Sequence, residues 1–453
     1  MGSSVSVNKI SKKNLWIVGT IILCIIIIIL VTIGNWIFNG SRIFPNIFIE
    51  SVDVGGLTPE EAKVKVRRIF EKEIDSFRKE LVYKDSSWQL SYEDLGLYYL
   101  FDDYIDKAYG VGRSGNYYER IKKINNLRKN PEIIRLEPYY NPFEIESIIK
   151  NISQTVNKPS IDAEINRKNG TFIIKKEVLG VEVDENALRE SIVGAIGNFN
   201  NDIIYIPVKN TTPEIIEKDL STIQDLIGEY VTTFNSQEKG RSENIKLAVN
   251  SINNMLLMPG DEFSFNESTG PRSAEEGYKE APVIVNGELV PGIGGGICQV
   301  STTLYQATIR SDVEVTSRRN HGRPVGYVPI GQDATVAYGY IDFKFRNNKD
   351  YPIYIESYIK GEQVHVKLYS KKTNNMSIDL ESEIIEVVKP KMEIKKDPNM
   401  DVGERRINKA GKKGYRVVTY KVYLQDGKEL KKEVISKDYY PPRDGIVIEG
   451  IKQ

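Results

Sequence analysis

Hydrophobic and polar positions divide the chain into one long apolar run, a series of mixed segments and an alternating tail. From Leu15 to Phe38 no residue carries a charge. As a helix such a run is about 36 Å long, enough to cross a hydrocarbon layer of about 30 Å. Trp16 and Trp36 sit near its ends, where amphipathic rings favour the headgroup region, and Lys9, Lys12 and Lys13 precede it. The expected arrangement is a cytoplasmic tail over 1–14, a single transmembrane helix over 15–38, and an ectodomain facing the cell wall. A cleaved signal peptide fits less well, because the run is too long and no clear small-residue cleavage site follows it.

Past the membrane segment, Ser51 to Gly56 reads as a short strand and a Gly-Gly turn. A helix follows with Thr58 as cap, Pro59 at its first position and Glu60 and Glu61 in its first turn. Trp88 to Leu97 resembles Phe172 to Val181, with Leu95-Gly96-Leu97 matched by Leu179-Gly180-Val181, and a helical pattern follows each. This weak two-fold repeat predicts two small α+β modules, over 43–130 and 131–218. A third domain, over 233–372, opens with a helix capped by Ser242, with Ile245, Val249, Ile252 and Leu256 at helical spacing until Pro259-Gly260. Strands are expected at Phe263–Phe265, Ala281–Val285 (leading into an Asn286-Gly287 turn), Asp342–Arg346, Ile353–Ile355 and Val364–Leu368. From 380 to 453 the alternation in Tyr415–Tyr423, a turn at Asp426-Gly427 and recurring glycines predict a small, elongated all-β module. The fold class is therefore α+β: mixed modules followed by a β module, carried on one N-terminal helix.

Composition narrows the functions open to such a chain. Its 453 residues suggest about three or four domains. Sixty-two basic residues balance 62 acidic ones, which argues against nucleic acid as a partner. Only Cys24, inside the apolar run, and Cys298 are present, so the ectodomain can form no internal disulfide. Cys298 is thus a lone exported thiol, and either buried, paired with another chain or kept for its chemistry.

Cys298 follows Gly294-Gly-Gly296 and precedes a stretch with Val300, Leu304 and Ala307 on one helical face. Glycines allow positive φ and bring main-chain N–H groups close to a substrate, while a helix N-terminus favours a thiolate. Backbone donors near Gly295, Gly296 and Cys298, helped by Gln299, are the expected oxyanion support. A thiolate needs a base, and the chain offers two histidines. His365 falls on the polar phase of a strand, whereas His321 lies in the polar loop Ser317–Pro324, with Asp333 or Asp342 to orient it. Arg318 and Arg319, in the same loop, suit a substrate carboxylate, and Ser301 and Tyr305 on the helix after the thiol are further candidate substrate contacts. One cysteine and one nearby histidine fall short of a zinc site, and no Gly-Lys-Ser/Thr follows the glycines, so neither a metal nor another cofactor is expected.

Pro259–Phe265, Gly294–Tyr305, Arg319–Gly322, Gly331–Val336 and Asp342–Asn347 together resemble the VanW family closely. Gly322 stands where the family pattern has serine. The two preceding modules look like the peptidoglycan-binding domains of YoaR-like proteins, and the tail is similar to the β domain named for its five glycines. Some VanW-domain proteins are regarded as L,D-transpeptidases. The resemblance therefore implies attack by Cys298 on stem peptides, with His321 moving protons and a 3-3 cross-link as product; the partners are peptidoglycan stem peptides and glycan. Two alternatives remain open: a non-catalytic wall-binding scaffold, and a cysteine carboxypeptidase that trims stems.

Overall fold

A computed structural model of the chain describes residues 12–196, 202–285 and 288–452. Lys9 and the Asn286-Gly287 turn lie outside the described residues. The chain divides into two compact units, one comprising 1–159 and 179–212, the other 160–178 and 213–453.

The first unit begins with the helix Lys12–Phe38, whose stretch Leu15–Thr32 has a mean hydropathy of 3.1. It is long and apolar enough to cross a membrane. The helix Pro59–Ser76 starts where its sequence says it should: Glu61 N–H donates to Thr58 Oγ1, and Thr58 N–H donates to Glu61 Oε2, a reciprocal box that satisfies two otherwise orphan donors. Two apolar cores form here, and they do not follow chain order. The first gathers Ile47, Ile49, Val66, Phe70, Ile105 and Leu136, where Ile47–Ile49 pairs in parallel with Glu132–Ile134. The second gathers Leu81, Leu95, Leu97, Ile145, Ile149 and Val183, where Arg78–Tyr83 pairs in parallel with Ile203–Tyr205. The two segments that read as a repeat thus contribute, through Leu95 and Leu97 and through Val181, to one core.

The second unit is built on a four-stranded antiparallel sheet in the order Asp225–Thr233, Gln363–Ser370, Ile353–Lys360, Met255–Leu257. Two helices, Lys239–Ile252 and Ile297–Arg310, supply its core with Ile245, Val249, Ile252, Val300, Leu304 and Ala307, all at most 1% exposed. Burying a side chain such as Leu304 is worth about 1.5–3 kcal/mol. The Lys239 helix begins three residues before Ser242 and stops at Ile252, so Leu256 lies in a strand and not on the helix. Asn254, at φ 62°, turns the chain there. The expected strand ending at Phe265 likewise stops at Ser264, whose hydroxyl caps the short helix Phe265–Thr269. The hairpin Glu164–Lys168 and Thr171–Lys175 belongs to this second unit, with Phe172 packed edge-on against Tyr354 and Tyr369 and Arg167 paired to Glu356 at 3.0 Å.

The chain ends in an all-β module of two three-stranded sheets, Met376–Val388 with Gly414–Gln425 and Lys428–Tyr440, and Met392–Asp401 with Gly445–Lys452 and Arg405–Lys409. Asp426 and Gly427, at φ 49° and 76°, form the tight turn their sequence predicts.

Candidate active site

The helix Ile297–Arg310 starts directly from the glycine turn. Gly296 adopts φ 107°, and a Cβ on it would lie 2.9 Å from Arg241 Cγ; a Cβ on Gly295 would lie 2.5 Å from the Pro282 carbonyl oxygen. Both positions therefore demand glycine. Asn244, fully buried, pins this turn by donating to the carbonyls of Gly295 at 3.0 Å and Lys279 at 2.9 Å, while accepting from Lys279 N–H at 2.7 Å. Cys298 becomes the second residue of the helix, where backbone N–H groups have no intrahelical acceptor.

The polar residues of this helix are buried and fix the loop opposite. Ser301 and Thr302 hydroxyls donate to the Ala334 carbonyl at 2.6 and 3.1 Å, Thr302 accepts from Ala334 N–H at 3.0 Å, and Gln306 donates to the Gln332 carbonyl at 2.6 Å. Asp333 is held between these anchors. Its Oδ2 meets His321 twice, at Nδ1 (2.5 Å) and at the backbone N–H (2.7 Å). That leaves Nε2 free, and the imidazole lies near enough to the Cys298 thiol for each to shift the other's titration. Cys298 Sγ also lies 3.6 Å from Thr335 Oγ1 and 3.5 Å from the Val336 carbonyl oxygen. Cys298, His321 and Asp333 thus form one continuous chain of contacts. Asp342 is elsewhere: it accepts from Ser264 Oγ at 2.6 Å and Asn266 N–H at 2.9 Å, serving the short helix.

Burial pushes the Cys298 thiol up, but the hydrogen bond and charge of His321 outweigh it and bring the thiol down from 9.0 to about 7. Burial works against protonated His321 as well; bonds to Asp333 and Cys298 nevertheless raise it to about 9. Asp333, despite its burial, is held below the usual carboxylate range by His321. Between these limits a thiolate facing an imidazolium is the favoured state, a pair able to attack a carbonyl and to hand a proton to the departing group.

The thiol opens on a cleft of about 840 Å³. It is lined by apolar Pro282, Val283, Ile284, Leu289 and Ile293 of a strand pair and by Arg241, Arg272, Arg323, Tyr327 and Tyr338. Arg272 Nη2 is buried with no acceptor among the described residues. No sequence signal marked it, nor Asn244 or Tyr327. Among the described residues no group of three or more His, Cys, Asp or Glu side chains is placed to hold a metal ion.

Several residues expected to touch substrate lie beneath the site instead. Ser301 and Tyr305 are 0% and 2% exposed, inside the core. Gln299 accepts from Arg241 at 2.7 Å and donates to Thr232 and to the Thr233 carbonyl, so its amide is committed to the scaffold and not to an oxyanion. Arg318 is buried, with Nη1 on both oxygens of Asp438 at 2.6 and 2.8 Å and Nε on the Asp333 carbonyl at 2.6 Å; it has turned inward, away from a substrate carboxylate. Arg319 is exposed, its carbonyl paired with Thr335 N–H at 2.8 Å. His365, half-buried and stacked on Tyr358 at 4.8 Å, is not among the residues lining the cleft.

The modules and this site define a multidomain protein of peptidoglycan-related architecture. Residues 240–369 match the profile described as VanW like protein, 88–203 that of a "Putative peptidoglycan binding domain", and 380–452 that of a G5 domain. The peptidoglycan-binding match supports an interaction with the cell wall. The chain is 38% identical over 228 residues to the "Uncharacterized protein YoaR" of Bacillus subtilis (strain 168), covering 50% of this chain and 74% of that protein. It is 30% identical over 134 residues to the "Vancomycin B-type resistance protein VanW" of Enterococcus faecalis (strain ATCC 700802 / V583), over 28% of this chain and 49% of that protein. A solved structure, the IgA1 protease G5 domain, is similar at 24% identity and a TM-score of 0.14, covering 18% of this chain and 98% of that one. The chain belongs to the YoaR and VanW family.

Proposed function

We propose that this protein is a cell-wall L,D-transpeptidase working through Cys298, anchored by the helix Lys12–Phe38 with its N-terminus in the cytoplasm. The observation that carries the proposal is the contact chain from Cys298 through His321 to Asp333 at the floor of a cleft. In the first half-reaction the Cys298 thiolate attacks the carbonyl carbon joining the third-residue diamino acid to the terminal D-alanine. The C–N bond breaks, His321 gives its proton to the leaving amine, and a thioester remains. In the second, the side-chain amine of a neighbouring stem attacks the thioester, His321 takes its proton, the C–S bond breaks and the thiolate returns. Backbone N–H groups of the glycine turn and of Cys298 face the developing oxyanion. Arg272, with its free buried donor, takes the stem carboxylate, a bond that removes a penalty of about 1–3 kcal/mol for an unpaired buried group.

Full-length protein in detergent, native and Cys298→Ala, incubated with disaccharide-tetrapeptide muropeptides and followed by mass spectrometry, tests this. The expected product is a dimer lacking one D-alanine, formed by native protein alone. Trimmed monomer without dimer replaces transpeptidation by carboxypeptidase action, and binding without turnover replaces it by scaffolding.

A further inference from the structure

The terminal β module reaches into the site at several points. Tyr440, fully buried, donates its hydroxyl to Asp333 Oδ1, the carboxylate oxygen that His321 does not use, and accepts from Gly331 N–H at 2.9 Å. Thr419 Oγ1 donates to the Gly331 carbonyl at 2.9 Å, Asp438 holds Arg318, and Asn320 Nδ2 donates to the Tyr439 carbonyl at 3.1 Å. The approach is close enough to require glycine at 331, where φ is 89° and a Cβ would lie 2.6 Å from Thr419 Oγ1 and 2.7 Å from Val417 Cγ1. Leu380 joins the same hydrophobic core as Val300 and Leu304. A module that only tethered the protein to glycan would have no need of buried polar contacts to the loop that carries Asp333.

We propose that the terminal β module is a working part of the active site, with Tyr440 as the positioning residue that fixes the Asp333 carboxylate and, through it, His321. This rests on Cys298, His321 and Asp333 acting as one group. The mechanism follows from what surrounds the carboxylate. Oδ1 has two neighbouring donors, the Tyr440 hydroxyl and Arg318 Nη2 at 3.7 Å, and Arg318 is restrained by Asp438. Without the tyrosine hydroxyl, Oδ1 turns toward Arg318, Oδ2 leaves the imidazole, and the thiolate loses its counter-charge. Other titratable or charged groups facing the pair are Arg272 and Tyr327 beside Cys298, with Tyr305 and Asp438 near Arg318; none of them is changed in Tyr440→Phe.

The test uses the full chain in detergent on a Cys24→Ser background, so that Cys298 is the one thiol, and reads its alkylation by iodoacetamide against pH by intact mass. This needs no transpeptidation. In folded Tyr440→Phe the midpoint is expected to rise from near pH 7 by about half a unit or more, with at least a roughly twofold slower reaction at pH 7. Asp438→Asn, which releases Arg318 toward Asp333 while keeping the side-chain shape, shifts it in the same direction and decides alone if Tyr440→Phe does not fold. Ile407→Thr, 67% exposed in the same module, leaves the profile unchanged. A native profile in the folded variants overturns the role of Tyr440 and leaves the Cys298 assignment standing. A native protein that itself titrates near 9.0 would instead refute the thiolate pair on which both rest.

Discussion

A thiol and an imidazole, each driven toward neutrality by burial, hold each other charged, the imidazole with the help of Asp333. Cys298 is brought down to about 7 and His321 up to about 9, so the reactive pair exists in the window between them. Below that window the thiol is protonated and above it the imidazolium is lost. Turnover should therefore follow a bell whose limbs belong to the pair and not to either residue. Replacing His321 by alanine leaves burial opposed only by the contacts to Val336 and Thr335, so the alkylation midpoint of the thiol should rise well above 7 and turnover should fall by roughly 10²–10⁴-fold. An unchanged midpoint in that variant would mean that the helix N-terminus, and not His321, sets the thiolate.

Cys298 and His321 were legible as candidates because one follows a glycine run at a helix start and the other sits in a polar loop. The choice between Asp333 and Asp342 was not, since it depends on which loop folds back on the helix. Arg318 illustrates the opposite failure: a basic pair in a loop reads as a clamp, but its partner Asp438 is 120 residues further on and invisible to local pattern.

One helix does most of the positioning. Ile297–Arg310 alternates apolar residues that fill the core with Ser301, Thr302 and Gln306, which hold the backbone from Gln332 to Ala334. The apolar face was readable from its spacing; Ser301 looked like a candidate substrate contact because its acceptor is a backbone atom of a distant loop. Thr302→Val keeps the shape and removes both bonds to Ala334. Urea unfolding should show a loss of about 1–3 kcal/mol, with slower alkylation of Cys298 in the folded protein; native stability would show that the loop holds itself. The helix at Pro59, by contrast, was readable to its first residue, because its capping box spans only Thr58 to Glu61. The Lys239 helix shows the limit of periodicity: Leu256 keeps helical spacing with Ile252, yet Asn254 has already turned the chain into a strand.

Across the chain, the order of modules in sequence is a poor guide to what works together. The hairpin at Glu164–Lys175 packs on the sheet of the second unit, and the terminal module, which carries no catalytic pattern of its own, supplies Tyr440, 107 residues beyond the aspartate it touches. Alternating strands announce themselves, but not the one side chain that enters a neighbour's active site. The proposed thiol chemistry stands or falls on whether Cys298 ever carries an acyl group. Intact-protein mass spectrometry after brief exposure of the native chain to a tetrapeptide muropeptide, quenched in acid, reads this directly. The expected result is an adduct equal to the muropeptide minus D-alanine, located on Cys298 and absent from Cys298→Ala. A chain that produces the cross-linked dimer without that adduct in native protein, or with it in the alanine variant, would contradict the thiol as nucleophile.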